Sequence, residues 1–302
     1  MSSNITDSYE ILQTYNLSAS IVIMIVGVVW NGTLLYMFAR HKEIRTTANT
    51  MIFHLAVCDV VNLVVVVPIR YKFHFPHQSP DNTALCRCIN VFQHWILCAT
   101  ALSVVALSVQ RFYFSAPYSR FHDSLIKVNT AVITTVYILL IWVISLIISI
   151  PYGVIWSIYG YMCGNYNNPY STKVMILFDF LYYCVLLPFL MFFFNFATAR
   201  RLKKSIRNFV GGVNSSTREL VRKRSANVVT ALSVLFVVSY FPFWIWCWFA
   251  YWTAMDRRNA TTIILECISK HLLFLNSCFN PVALYMSSCT FRRLFRSYLC
   301  LS

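Results

Sequence analysis

The chain has 302 residues, of which 58% are hydrophobic and 12% charged, and its formal net charge is +15. With a mean hydropathy of +0.61, it holds too few polar residues to cover a water-soluble globule of this length. Composition therefore excludes a soluble domain, and the apolar surplus must face lipid.

The first 17 residues are polar and lack a basic region followed by an apolar core, so they read as an external tail rather than a cleavable signal peptide. Beyond them, a helix crossing the hydrocarbon needs ~20 mostly apolar residues to keep every backbone group bonded internally. Seven segments meet this requirement: Ser18–Phe38, Asn49–Arg70, Leu85–Phe112, Val128–Ser149, Ser171–Ala199, Asn227–Tyr251 and Thr262–Met286. Residues 128–172 carry no Asp, Glu, Lys or Arg, yet Pro151, Gly153, Gly160 and the polar run 165–169 predict one helix followed by a loop. The bundle thus occupies 18–287. Residues 288–302 form a short amphipathic helix and tail, built around Phe291-Arg292-Arg293-Leu294-Phe295.

Basic residues set the orientation, because Lys and Arg concentrate on the cytoplasmic side. With the N-terminus outside, 18 of the 25 fall in the inner segments, nine of them between Arg200 and Arg224. The C-terminus then lies inside. A membrane-facing inner surface accounts for the positive charge without nucleic acid. Sequons at Asn4, Asn16 and Asn259 fall on the external side, where glycosylation occurs.

The eleven cysteines show no paired spacing of the zinc-binding kind. Most read as buried thiols within spans. Cys86, Cys88 and Cys163 fall at the oxidising external side, which permits a disulfide. Cys300, after the basic amphipathic stretch, is a palmitoylation candidate.

Polar residues inside the spans are costly in lipid and face the bundle interior. Asn31, Asp59, Thr100, Asn276 and Asn280 lie at similar depth. They read either as a mutually bonded cluster or as a cation site.

These landmarks, in order and at these spacings, resemble the rhodopsin-like G-protein-coupled receptors. They are Asn31 after Gly27 and Trp30, Leu55-Ala56-Val57-Cys58-Asp59, Cys86 lying 25 positions before Arg111, Trp142, Pro188, Phe236 with Pro242, and Asn280-Pro281. Asn276-Ser-Cys-Phe-Asn280-Pro-Val-Ala-Leu-Tyr285, Gln93 and the ending Phe291-Arg292-Arg293…Cys300 resemble the bombesin, endothelin and insect CCHamide receptors. The resemblance implies an all-α fold of seven transmembrane helices plus a short eighth helix. It also implies a disulfide between Cys86 and Cys163, a sodium ion held by Asp59, Thr100, Asn276 and Asn280 as allosteric modulator, and coupling to a heterotrimeric G protein through Gln110, Arg111 and Phe112. Cys88, two residues along the helix from Cys86, is turned about 200° away and stays free.

Three departures stand out. The helix-three triplet reads Gln110-Arg111-Phe112 where the family carries an acidic residue and tyrosine; helix six reads Ser239-Tyr240-Phe241-Pro242; and Phe196 replaces the usual tyrosine. Gln110 lacks the charge that restrains the arginine, and Arg222 stands where a second acidic brake is usual. Raised basal signalling is the consequence.

The resemblance also narrows the ligand. Amine receptors pair the ligand with an aspartate at the Gln93 position, and a neutral amide makes no ion pair. Opsins need a lysine where Phe274 stands, with Lys270 about one turn away. A peptide remains, contacting Gln93, His94, Arg70, Glu266 and Lys270 above an aromatic floor of Tyr240, Phe243 and Trp244. An orphan or constitutively active receptor, and a small transporter, are the alternatives. Internal repeats and charge rings are absent from the sequence, and the seven histidines lack H-x-x-x-H spacing, which argues against an enzyme.

Overall fold

Lipid offers no water to bond a free backbone group, so long apolar runs become helices. The computed structural model describes residues 2–45, 47–72, 82–115, 130–159, 162–164, 169–208, 213–253 and 260–299. Among these residues, seven helices are long and apolar enough to cross a membrane: Thr14–Arg40, Asn49–Ile69, Thr83–Tyr113, Val132–Ile155, Tyr170–Lys204, Ala226–Trp252 and Thr261–Met286. They are called the first to seventh spans. They bundle around a shared core that includes Leu34, Leu55, Val104, Leu187, Phe236 and Leu284. The protein is an all-α, seven-helix membrane bundle.

Three local features differ from the sequence reading. The first helix begins at Ser2 and runs unbroken to Arg40, so the expected tail 1–17 is largely a helical extension, and the half-buried Asn16 sits on it. Pro151 does not end the fourth span, because Thr130–Ile155 is one helix with the proline inside it. A proline already holds a helical φ, and it removes one bond near the end where lipid offers no better arrangement. The loop beyond it holds two short antiparallel strands, Ser157–Tyr159 and Met162–Gly164, with Ile158 opposite Cys163.

Two π-turns interrupt the helices, at Asn62–Val66 in the second span and Leu181–Leu186 in the fifth. Such wider turns insert an extra residue and are frequent at functional sites. In the fifth span the consequence is concrete: the neighbours Tyr182 and Tyr183 are both buried. Gly27 permits the close approach of the first, second and seventh spans. A Cβ there would overlap Leu63 and come within 2.7 Å of Cys278 Sγ, whose thiol donates to the Ile23 carbonyl at 3.0 Å.

After the seventh span, Cys289–Leu299 is a separate helix that buries Phe291, Leu294 and Phe295. Phe295 packs on Trp30 at 5.4 Å between ring centroids. Arg296 Nε donates to the Tyr285 hydroxyl at 3.2 Å, fixing this amphipathic helix to the end of the bundle richest in Lys and Arg, hereafter the basic end.

Candidate functional site

Three groups of expected site residues lie along the bundle. The first is near the end that carries the N-terminus. Gln93 and His94 of the third span are half-buried. The His94 ring stacks on Tyr152 of the fourth span at 3.4 Å and lies 6.4 Å from the Trp244 ring. Trp244 in turn stacks on Tyr183 at 4.7 Å, nearly parallel, and meets Phe243 edge-on. Tyr240 lies one turn deeper, buried and stacked on Phe236 at 4.1 Å. Tyr240, Phe243 and Trp244 therefore belong to one aromatic cluster, which Tyr183 joins.

Glu266 and Lys270 do not stand as separate handles, because they pair with each other at 2.6 Å. Four residues apart, they share one helix face, so the two charges neutralise each other. The side chain of Arg70 lies outside the described residues.

Sequence reasoning missed Asp179. It is the one acidic residue in the fifth span, it is buried, and it accepts a hydrogen bond from the Tyr152 hydroxyl. The rule that singled out Asp59, that an ionisable group in lipid marks a site, applies equally here.

The second group surrounds Asp59 at mid-membrane. Asn280 Nδ2 donates to Asp59 Oδ2 at 2.7 Å. Asn31 Nδ2 donates to the Ser277 carbonyl at 2.7 Å, and Asn62 Nδ2 to the Ser277 hydroxyl at 3.0 Å. Much acceptor capacity stays unused. Asp59 Oδ1, Thr100 Oγ1 and the side-chain oxygens of Asn31, Asn62, Asn276 and Asn280 are buried without a hydrogen-bond partner among the described residues. Leaving such atoms dry costs free energy, and no basic side chain among the described residues pairs with Asp59. Oxygen-only donors with a single carboxylate suit a hard monovalent cation.

The third group lies at the basic end. Gln110 is buried and donates from Nε2 to Thr134 Oγ1 of the fourth span at 3.3 Å. The Arg201 guanidinium of the fifth span sits 3.6 Å over the Phe112 ring and donates to the Phe112 carbonyl at 3.2 Å. That contact ties the third span to the fifth, and no spacing or motif marks it in the sequence. Phe196 faces outward, 58% exposed, under the Arg200 guanidinium. The side chain of Arg222 lies outside the described residues.

Cys86 is disulfide-bonded and fully buried, while Cys88 is a free, exposed thiol. The Cys163 side chain lies outside the described residues, as do Cys300, Asn259 and the Asn4 side chain.

A seven-helix bundle with an aromatic and polar cluster near one end, a second polar cluster at its centre and a basic surface at the other has the layout of a membrane receptor. Residues 30–285 match the 7 transmembrane receptor (rhodopsin family), and the chain belongs to that family. It is a multi-pass membrane receptor and not an enzyme, which also sets aside the transporter alternative. It is 28% identical over 294 residues to the neuropeptide CCHamide-1 receptor of Drosophila melanogaster, covering 92% of this chain and 58% of that receptor. It is 26% identical over 322 residues to the endothelin receptor type B of Homo sapiens, covering 96% and 70%. With the endothelin-1 receptor of Rattus norvegicus the identity is 28% over 322 residues, covering 98% and 73%.

Proposed function

We propose that the protein is a plasma-membrane receptor for a neuropeptide or peptide hormone, with its N-terminus outside and its C-terminus in the cytoplasm. The observation that carries this reading is a mixed cluster near the N-terminal end of the bundle. Half-buried His94, next to half-buried Gln93 on the third span, stacks on Tyr152 and lies 6.4 Å from Trp244, which joins the rings of Tyr183, Tyr240 and Phe243, a polar and aromatic mix that suits a peptide end. The relatives named for CCHamide-1 and endothelin support it.

The test is a library of amidated and disulfide-cyclised neuropeptides, CCHamide-1 and endothelin-1 included, applied to cells carrying the receptor and a promiscuous G-protein reporter. At least one peptide should raise guanine-nucleotide exchange with a saturable dose response. Exchange that no peptide alters would favour a constitutive receptor instead.

Signalling follows a two-state scheme. A peptide bound outside favours the arrangement in which the sixth span, hinged near Pro242, swings outward at its basic end. A heterotrimeric G protein then enters beside Arg111. By linkage, the peptide binds that arrangement more tightly than the resting one. The basic stretch 200–224 lies along anionic inner-leaflet lipid. Asn4 is a glycan acceptor and Cys300 carries a palmitoyl anchor, whereas Asn16, half-buried within the first span, is a poor glycan site.

Asp59, Thr100, Asn276 and Asn280 hold a sodium ion as an allosteric modulator. The ion supplies the positive charge that a mid-membrane carboxylate otherwise lacks, and it favours the resting arrangement.

The triplet sets the basal rate. Gln110 gives Thr134 a neutral bond, whereas a carboxylate beside the Arg111 guanidinium makes a stronger, charge-assisted contact. Gln110→Asp should therefore lower ligand-free exchange about 5–30-fold, the effect of ~1–2 kcal/mol on a two-state balance. The measurement is basal exchange normalised to surface expression, and an unchanged or higher rate would refute the role given to Gln110.

A further inference from the structure

The bundle buries two carboxylates in unlike surroundings. Asp59 sits among amide and hydroxyl oxygens, the setting of a small inorganic cation. Asp179 sits among rings. Tyr152 donates its hydroxyl to the Asp179 carboxylate, and its ring carries His94 stacked at 3.4 Å. Beyond Asp179 the π-turn Leu181–Leu186 brings both Tyr182 and Tyr183 inward, with their rings edge-on at 5.0 Å. Tyr183 stacks on Trp244, which lies 6.4 Å from the His94 ring.

Two further observations point to a ligand. The Trp244 Nε1 is buried with no hydrogen-bond partner among the described residues, which leaves a buried donor unused. No Lys or Arg among the described residues pairs with Asp179, since the ion pairs present are His41–Glu43 and Lys270–Glu266. A carboxyl group in hydrocarbon ionises favourably only beside a cationic partner. Aromatic faces around it favour an organic cation, which they attract through their ring quadrupoles.

We propose that the cage formed by His94, Tyr152, Asp179, Tyr183 and Trp244, between the third, fourth, fifth and sixth spans, is a subsite for a cationic side chain of the ligand. Asp179 binds a guanidinium or ammonium, the rings flank its stem, and Trp244 Nε1 donates to a carbonyl of the same ligand. The half-buried His94 is the open edge of the cage. The subsite deepens the peptide-receptor reading and rests on it: the incoming peptide carries Arg or Lys near the end that enters the bundle.

The test uses the purified full-length chain and needs no peptide. Thermal unfolding is followed with phenethylguanidinium and with its neutral isostere phenethylurea at saturating, equal concentrations. The guanidinium should raise the midpoint by about 2–4 °C, as expected for a ligand held by the folded state alone, and the urea should not. Asp179→Asn keeps the acceptor for Tyr152 and should abolish the difference. Asp179→Glu keeps the charge and should preserve it, and Glu43→Gln, at an exposed carboxylate outside the bundle core, should leave it intact. Equal shifts for both compounds, no shift, or a guanidinium effect that survives Asp179→Asn would each overturn the subsite. A failed peptide screen beside a charge-selective shift would count against the peptide reading alone.

Discussion

Replacing Cys163 by serine is expected to abolish ligand binding and most surface expression, while Cys88→Ser leaves both intact. Cys86 is in a disulfide and eight other cysteines are free thiols, which leaves Cys163 and Cys300 as partners. Cys300 follows the helix Cys289–Leu299 at the basic end, whereas Cys86 is at the start of the third span. Cys163 belongs to the strand Met162–Gly164, and the Trp156 carbonyl just before the hairpin accepts from Arg87 Nε at 2.9 Å. A Cys86–Cys163 bond would tether the hairpin to the start of the third span. Removing such a bond costs about 2–5 kcal/mol, a large fraction of a protein's net stability. Flow cytometry of tagged receptor measures the loss, and mass mapping of the non-reduced protein checks the pairing. A Cys88–Cys163 peptide would overturn it.

Sodium is expected to weaken agonist binding about 5-fold or more, a typical coupling between two sites, and Asp59→Asn should erase that dependence. Asparagine keeps the shape of Asp59 and an oxygen for the Asn280 amide, which donates at 2.7 Å, so the bundle packing survives while the charge is lost. The measurement is agonist competition with sodium replaced by a bulky organic cation at constant ionic strength, which holds screening fixed. If Asp59→Asn leaves the sodium effect unchanged, the cluster is a structural network that holds the first, second and seventh spans together. The unpartnered oxygens of Asn276 and Thr100 would then need water alone.

The sequence by itself determined the span count, most span limits, the amphipathic last helix and the presence of polar residues within the spans, while the fourth and fifth spans run on to Ile155 and Lys204, past their expected ends. Each follows from one-dimensional rules. Lipid demands long apolar helices, a helix has a fixed rise per residue, and a polar group in such a run must turn inward. The family landmarks Asn31, Asp59, Pro242 and Asn280 belong to the same legible layer, because they stand at set spacings along the chain. Only the tertiary structure decided which side chains meet. Glu266 and Lys270 looked like two ligand handles and proved to be one ion pair, a relation that spacing allowed but did not require. Pro151 looked like a helix stop, yet the helix continues to Ile155, because the cost of one lost bond depends on what surrounds it. Asp179 was overlooked because its meaning comes from Tyr152, a residue 27 positions away on a different helix. The Arg201–Phe112 contact spans 89 positions. Pairings of that range depend on helix rotation and on two π-turns that shift the register of buried side chains, and neither is written in hydrophobic periodicity.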